Sequence, residues 1–201
     1  MFDFAAILDF WFGAADSPER GRTRKCWFAR DAVFDAQVRG RFQALHEAGC
    51  RGELALWERG PLAALALVVV LDQFPRNMFR GNARAFAADA IALAVARRMV
   101  EKGFDLLLRP VERAFVYLPF EHAEDLAVQR RSLALFAGLA GDAESTSTID
   151  YARRHYEIIA RFGRFPHRNA VLGRTSTEEE IAFFAQAGSS FQSRSDLHAA
   201  S

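Results

Sequence analysis

Apolar residues recur at helical spacing along almost the whole chain, and this periodicity constrains the fold more than any other feature. Between Phe4 and Phe12 the apolar side chains fall on one face of a helix, which Gly13 is suited to end. A similar stripe runs from Phe34 to Leu45, and others follow. No alternation of strand and helix patterns is present. The sequence therefore predicts an all-α fold, a compact array of about eight helices.

Capping residues predict where several of these helices begin and end. Asp31 is placed to cap the helix that follows it, and Thr177 with Glu180 forms a capping-box pattern at the start of the last helix. Long amphipathic helices are predicted over residues 84–102 and 121–139, each with glycine near its end.

Length and composition predict a single domain. The chain has 201 residues, of which 51% are hydrophobic and 25% charged, and its formal net charge is +1. This profile is typical of a globular protein, and the near-neutral charge favours neither nucleic acid nor a membrane as partner. No linker divides residues 1–187, which we expect to form one all-α domain, and the Ser-rich segment 188–201 is predicted to be a disordered polar tail.

Cysteine usage and the apolar runs predict a cytoplasmic protein. Cys26 and Cys50 have neither metal-ligand spacing nor the pattern of a disulfide framework. The start of the chain lacks a basic leader, and the longest apolar run, residues 62–71, is too short to span a bilayer.

Two segments contain the same short motif, in which a Phe-Pro pair precedes an Arg-Asn pair. They run from Leu71 to Gly81 and from Arg161 to Arg174. Proline lacks an N–H and its ring clashes with the preceding turn, so each Phe-Pro pair is predicted to end a helix; the first of these helices is a largely buried one over residues 62–73. The polar side chains that follow would lie on a bend, where they can converge.

The first segment contributes candidate ligand-binding residues. Asp72 is expected in the last turn of the buried helix, where an unpaired carboxylate is costly, so an arginine should pair with it. Arg76, Asn77 and Arg80 complete this set. The structural alternative is that the group only secures the end of a helix, with Asn77 in a left-handed backbone conformation.

The segment around His122 contributes a candidate acid–base pair. On a single helix His122 would share a face with Asp125, and a carboxylate one turn away fixes the imidazole tautomer and raises its basicity. Glu121 beside them is a candidate ligand-binding residue. The same spacing could present two metal ligands, with His155 or His167 completing a set, but it matches no strong motif, and no metal is predicted. The structural alternative is a helix start enriched in acids.

The third candidate set lies around Gly163 and Pro166, where basic and apolar residues alternate. Phe162 and Phe165 are expected to anchor the loop so that its polar side chains are held still. An ordered corner of this kind suits a phosphate or carboxylate, whereas one short basic stretch in a neutral protein disfavours nucleic acid. The candidates are Arg161, Arg164, Arg168 and Asn169 as ligand-binding residues and His167 as a proton-transfer residue.

Four motifs in a fixed order resemble those of a known bacterial family. They are Ile7–Phe12, Leu71–Asn77, Pro119–Asp125 and Arg164–Asn169. Together they resemble the family catalogued as domain of unknown function 924, over nearly the whole chain. The resemblance implies an all-α fold of the tetratricopeptide-like superfamily. It implies no activity, so no catalytic residue is carried over from it.

The sequence thus predicts one polar pocket that holds a small anionic ligand. His122 or His167, oriented by Asp125 or Glu121, would transfer the proton in a hydrolytic or transfer reaction on a phosphorylated or carboxylated metabolite. The sequence identifies no cofactor and leaves open whether the protein is an enzyme. The alternatives are a helical adaptor that binds a peptide or protein in a groove, and a purely structural polar network. The residues expected to converge are Asp72, Arg76, Asn77, His122, Asp125, Arg164, His167 and Asn169.

Overall fold

The computed structural model describes residues 2–185, and all regular structure in this range is helical. The helices are α1 (Phe4–Phe12), α2 (Ala32–Cys50), α3 (Pro61–Val68), α4 (Phe74–Met78), α5 (Asp89–Glu101), α6 (Pro110–Glu121), α7 (Leu126–Ala137), α8 (Thr146–Phe162) and α9 (Glu178–Phe184). A π-helical turn, Val69–Gln73, joins α3 to α4 in one continuous helical path. With α3 and α4 counted as one, residues 2–185 form eight separate helices. The predicted all-α class is confirmed. The predicted tail, residues 188–201, lies outside the described residues.

The core is built around α3, which is buried against α1, α5 and α6. The residues from Pro61 to Leu71 are all apolar, which is why this segment carries no amphipathic stripe, and Asp72 and Gln73 follow at its end. Trp11 and Phe12 of α1 pack edge-on against Phe115 of α6, with ring centroids 5.8 and 5.1 Å apart. Full burial of each such ring contributes about 1.5–3 kcal/mol to folding. None of the described helices has both the length and the apolar content that a membrane span requires.

A smaller apolar cluster holds the last helices and the loop after α8. Ile158 and Ile159 of α8 pack with Phe165, and Phe183 of α9 covers them from outside. Gly163 ends α8 in the left-handed region at φ 69°, which reverses the chain so that Phe165 returns to the core side. This reversal brings the second Phe-Pro segment beside the end of α6.

The predicted caps are confirmed. The side chain of Asp31 accepts hydrogen bonds from the backbone N–H groups of Val33 and Phe34 at 3.0 Å. Thr177 Oγ1 accepts from the Glu180 N–H at 3.2 Å, and Glu180 Oε2 accepts from the Thr177 N–H at 2.7 Å, which is a complete capping box.

The prediction that each Phe-Pro pair ends a helix is wrong. At the first pair the Phe74 N–H bonds to the Val69 carbonyl, five residues back, so the hydrogen-bond ladder changes register just before Pro75. The missing N–H of Pro75 falls where the ladder is already changing, and the chain continues as α4. At the second pair the helix ends earlier, at Gly163, and Pro166 opens a short turn.

The predicted helix over residues 121–139 is two helices. α6 ends at Glu121 and α7 starts at Leu126, with Asp125 as its N-cap accepting from the Val128 N–H at 2.9 Å. The Asp125 carboxylate therefore accepts a hydrogen bond from the first turn of α7 instead of facing His122. His122 itself is the C-cap residue of α6. The helix predicted over residues 84–102 likewise begins later, at Asp89.

Candidate functional site

A buried carboxylate–imidazole pair lies where the π turn meets the end of α6. Asp72 is fully buried, and its Oδ1 lies 2.8 Å from His122 Nδ1. Gln73 donates to the other carboxylate oxygen at 2.5 Å. Because Nδ1–H donates to Asp72, Nε2 of His122 is the basic nitrogen. No residue within the described range forms a hydrogen bond with Nε2.

The charges around this pair favour an ionised carboxylate and a neutral imidazole. Burial raises the pKa of Asp72, but the charge of Arg76, together with His122 and its hydrogen bond, outweighs burial and holds that pKa far below its ordinary value. Burial, followed by the charge of Arg76, lowers the pKa of His122 despite the opposing effect of Asp72. At neutral pH the imidazole is therefore able to accept a proton.

Two guanidinium groups share one carboxylate beside the pair. Arg76 lies 2.9 Å from Asp89 and 3.4 Å from Asp72, and Arg168 lies 3.2 Å from Asp89. The Arg168 guanidinium packs over the rings of Phe86 and Phe165, each with its centroid 4.6 Å away. Burial, and then the neighbouring Arg76, lowers the pKa of Arg168 to about 10, so it stays charged at neutral pH. Its Nε is buried and has no hydrogen-bond partner among the described residues.

Three imidazoles and a phenyl ring form a continuous wall at this place. Ring centroids are 6.2 Å apart between His122 and His155, 5.3 Å between His155 and Phe165, and 5.4 Å between Phe165 and His167. Glu121 lies 2.9 Å from His155 Nδ1. Burial, and then the charge of Arg168, lowers the pKa of His167 to about 3, so this imidazole is neutral. We call the whole group the central cluster: Asp72, Arg76, Asp89, Glu121, His122, His155, Phe165, His167 and Arg168.

Comparison with known proteins places the chain in a family. The family model described as "Bacterial protein of unknown function (DUF924)" matches residues 7–188. The chain belongs to DUF924. The solved structure of a protein of unknown function, ATU0120 from Agrobacterium tumefaciens, is 41% identical, covers 90% of this chain and 96% of that chain, and has a TM-score of 0.79. No curated protein matches. Membership of DUF924 confirms the resemblance and brings no activity, so function has to be argued from the geometry, and the superfamily placement stays a prediction.

In this DUF924 protein the first segment is divided between two places. Asp72 and Arg76 belong to the central cluster, whereas Asn77 and Arg80 bind Asp35 of α2, at 2.7 and 2.6 Å. The expectation that Asn77 converges with His122 is therefore wrong. Within α4 the neighbouring residues Arg76 and Asn77 point in different directions around the helix axis, and Arg80 lies beyond the end of α4.

The third segment is divided as well. Arg164 and Asn169 bind Glu180 at 2.7 and 3.1 Å, and Arg161 pairs with Glu179 at 2.8 Å. The hydrogen bond from Arg164 is the main reason why the pKa of Glu180 is lowered to about 2. These three predicted ligand-binding residues secure α9 to the loop after α8. Of the third set, His167 and Arg168 lie in the central cluster.

Sequence reasoning missed Asp89 of the central cluster, missed Phe86, whose ring packs against Arg168, and missed the role of His155. Asp89 and Phe86 lie within the predicted amphipathic helix over residues 84–102, and no motif marks them. His155 was considered only as a metal ligand, although it faces Glu121, a predicted site residue. Within residues 2–185 no group of three or more potential ligands is arranged to hold a metal ion.

Proposed function

We propose that the central cluster binds a small anionic molecule and that His122 transfers a proton to or from it. One observation carries the proposal. The Asp72–His122 pair leaves the basic Nε2 without a hydrogen-bond partner in the described range, and the same carboxylate lies 3.4 Å from Arg76, one of two guanidiniums that share Asp89.

Arg168 is the main anion-binding residue of this proposal. Its guanidinium is held between Asp89 and two aromatic rings, so little side-chain freedom remains to be lost on binding. An anion near Arg76 and Arg168 would relieve the repulsion between them and supply an acceptor for the Arg168 Nε. Each hydrogen bond from guanidinium to anion contributes about 1.5–3 kcal/mol. Solvent reaches the cluster at Arg76 and His122, whose side chains are 19% and 12% exposed.

His122 is suited to act as a general base. Asp72 fixes the tautomer that places the lone pair on Nε2, and the lowered pKa of His122 keeps it unprotonated at neutral pH. A positioned base of this kind accelerates proton transfer by about 10²–10⁴-fold. The chemistry that fits is hydrolysis or group transfer on a phosphorylated or carboxylated metabolite, with the anionic group held by the arginines and a water or hydroxyl deprotonated at Nε2.

A thermal-shift titration tests the binding. Inorganic phosphate and acetate should each stabilise the wild-type protein saturably, by about 1.4 kcal/mol at ten times the Kd, or about 4 °C for a domain of this size. Arg168→Met should abolish the shift. Arg161→Met is the matched control, because Arg161 belongs to the same sequence segment but pairs with Glu179 at the surface. No saturable shift in the wild type, or an equal shift in Arg168→Met, would contradict the proposal.

A turnover assay tests the proton transfer. We expect slow hydrolysis of p-nitrophenyl phosphate or p-nitrophenyl acetate that is lost in His122→Asn. The Asn amide can still donate to Asp72 but offers nothing in place of Nε2, so anion binding should persist. Anion binding without any dependence of turnover on His122 would remove the catalytic part of the proposal and leave the binding part.

The adaptor alternative would have to use a different surface. A small apolar cleft lies between Trp27, Val111, Phe115 and Leu118, beside Phe28, which is 57% exposed. None of the Arg or Asn residues of the predicted motifs lines it. The convergence of polar groups therefore favours a small ligand over a peptide.

A further inference from the structure

We infer that the molecule bound at the central cluster is zwitterionic: besides its anionic group it carries a protonated amine, which binds Glu121. The inference rests on the proposed function and specifies the class of ligand as amino-acid-like.

Three buried atoms of the cluster have no hydrogen-bond partner among the described residues: Asp89 Oδ1, Arg168 Nε and Glu121 Oε2. Asp89 Oδ1 lies 2.9 Å from the Arg76 guanidinium, which leaves one donor and one acceptor without a partner. Arg168 is 6% exposed, and its Nε donor has no acceptor; Glu121 is 2% exposed, and its Oε2 has no donor, among the described residues. Leaving a buried polar group unsatisfied costs about 1–3 kcal/mol, and more when the group is charged. A simple anion such as acetate would satisfy Arg168 and leave Glu121 as it is.

The side chains that carry these two atoms border the same ring wall. Glu121 contacts His155, whose ring lies 5.3 Å from that of Phe165, and Arg168 packs over that same phenyl ring at 4.6 Å. The contact with His155 uses Oε1 of Glu121, so Oε2 stays without a partner whatever the protonation state of the imidazole. One ligand lying along this wall could therefore reach both atoms.

Charge decides which kind of group Glu121 would bind. The cluster contains three carboxylates, Asp72, Asp89 and Glu121, against two guanidiniums, Arg76 and Arg168, which leaves one carboxylate in excess. A purely anionic ligand would increase this excess, whereas a zwitterion leaves it unchanged and places its positive group next to the carboxylate that has a free oxygen. An ammonium group is also a pure donor, which is what Oε2 requires.

Calorimetric titration of the whole chain with two matched series of compounds tests the inference. The first series is glycine, 3-aminopropionate, 4-aminobutyrate and 5-aminopentanoate; the second is acetate, propionate, butyrate and pentanoate. We expect one member of the amino series to bind at least about tenfold more tightly than its amine-free counterpart. The chain length of that member would measure the distance between the two binding groups.

Variants of Glu121 separate binding of the amine from a structural role. Glu121→Gln should remove the preference for the amine without weakening the amine-free carboxylate. Glu121→Asp withdraws the carboxylate by one methylene, and we expect the preferred amino compound to become one methylene longer. Glu179→Gln, a surface substitution, is the control and should change neither series.

The outcomes distinguish this inference from the function on which it rests. If both series bind equally well to the wild type, the zwitterion inference is wrong and the anion site remains. If Glu121→Gln weakens both series alike, Glu121 is only structural and the inference is again wrong. If neither series nor inorganic phosphate binds, the proposed function itself fails.

Discussion

Mild acid is expected to destabilise this protein through His167. Burial, and then the charge of Arg168, brings the pKa of this imidazole to about 3, against an ordinary value of 6.5. Between these two values the unfolded chain takes up a proton at His167 and the folded chain does not. Stability from this residue is therefore fully present above pH 6.5 and is lost progressively as the pH falls towards 3.

The expected loss is large enough to measure. At pH 5 the uptake of one proton by the unfolded imidazole lowers the free energy of unfolding by about 2 kcal/mol relative to pH 7.5. This figure hardly changes for any folded-state pKa below about 4, because the folded imidazole is then unprotonated at pH 5 in every case.

Urea denaturation at pH 7.5 and pH 5 measures the effect in the wild type and in His167→Gln. The substitution changes stability at both pH values, but its direct cost cancels when only the difference between the two is compared. His167→Gln should lose about 2 kcal/mol less on acidification than the wild type. The reasoning is refuted if both proteins show the same pH dependence, or if the NMR resonance of His167 in the folded protein titrates near 6.5.

Other predictions concern the buried pair and the helix ends. Asp72→Asn removes the fully buried negative charge that His122 and Arg76 face, and it should lower the free energy of unfolding, measured in urea, by about 2–4 kcal/mol. A change below about 1 kcal/mol would mean that the pair is not buried as described. Gly163→Ala places a side chain on a residue in the left-handed region at φ 69° and should lower the free energy of unfolding by about 1 kcal/mol. Gly40→Ala lies inside α2 with open space around its Cβ position and should raise the free energy of unfolding by about 0.5–1 kcal/mol. Equal effects of the two substitutions would contradict this assignment. Glu180→Gln should accelerate hydrogen exchange in α9 specifically, because Arg164 loses its charged partner, and unchanged exchange there would show that α9 is held by other contacts.

Most helix positions followed from local chemistry that a sequence displays directly. Asp31 and Thr177 bond to amides two or three residues away, so their roles depend only on neighbouring residues. The break between α6 and α7 was missed because Asp125 fits two local roles, a helix-face acid and an N-cap. The π turn before Pro75 was also missed, since a change of hydrogen-bond register leaves no periodic signal that differs from an interrupted helix.

The candidate site depended on packing between distant parts of the chain. The sequence singled out Asp72 by its expected burial, His122 by the carboxylates near it, and Arg168 by the alternation of basic and apolar residues around Pro166. The sequence did not reveal which residue pairs with each of these three. Asp72 meets His122 across 50 positions, and Asp89 meets Arg168 across 79. Such pairings are set by how the helices dock, because many carboxylates could satisfy the same arginine and only the packed core selects one. The sequence alone therefore determined the all-helical class, the caps and the need for buried charge partners; the tertiary structure decided which partners meet, and so which residues form the cluster.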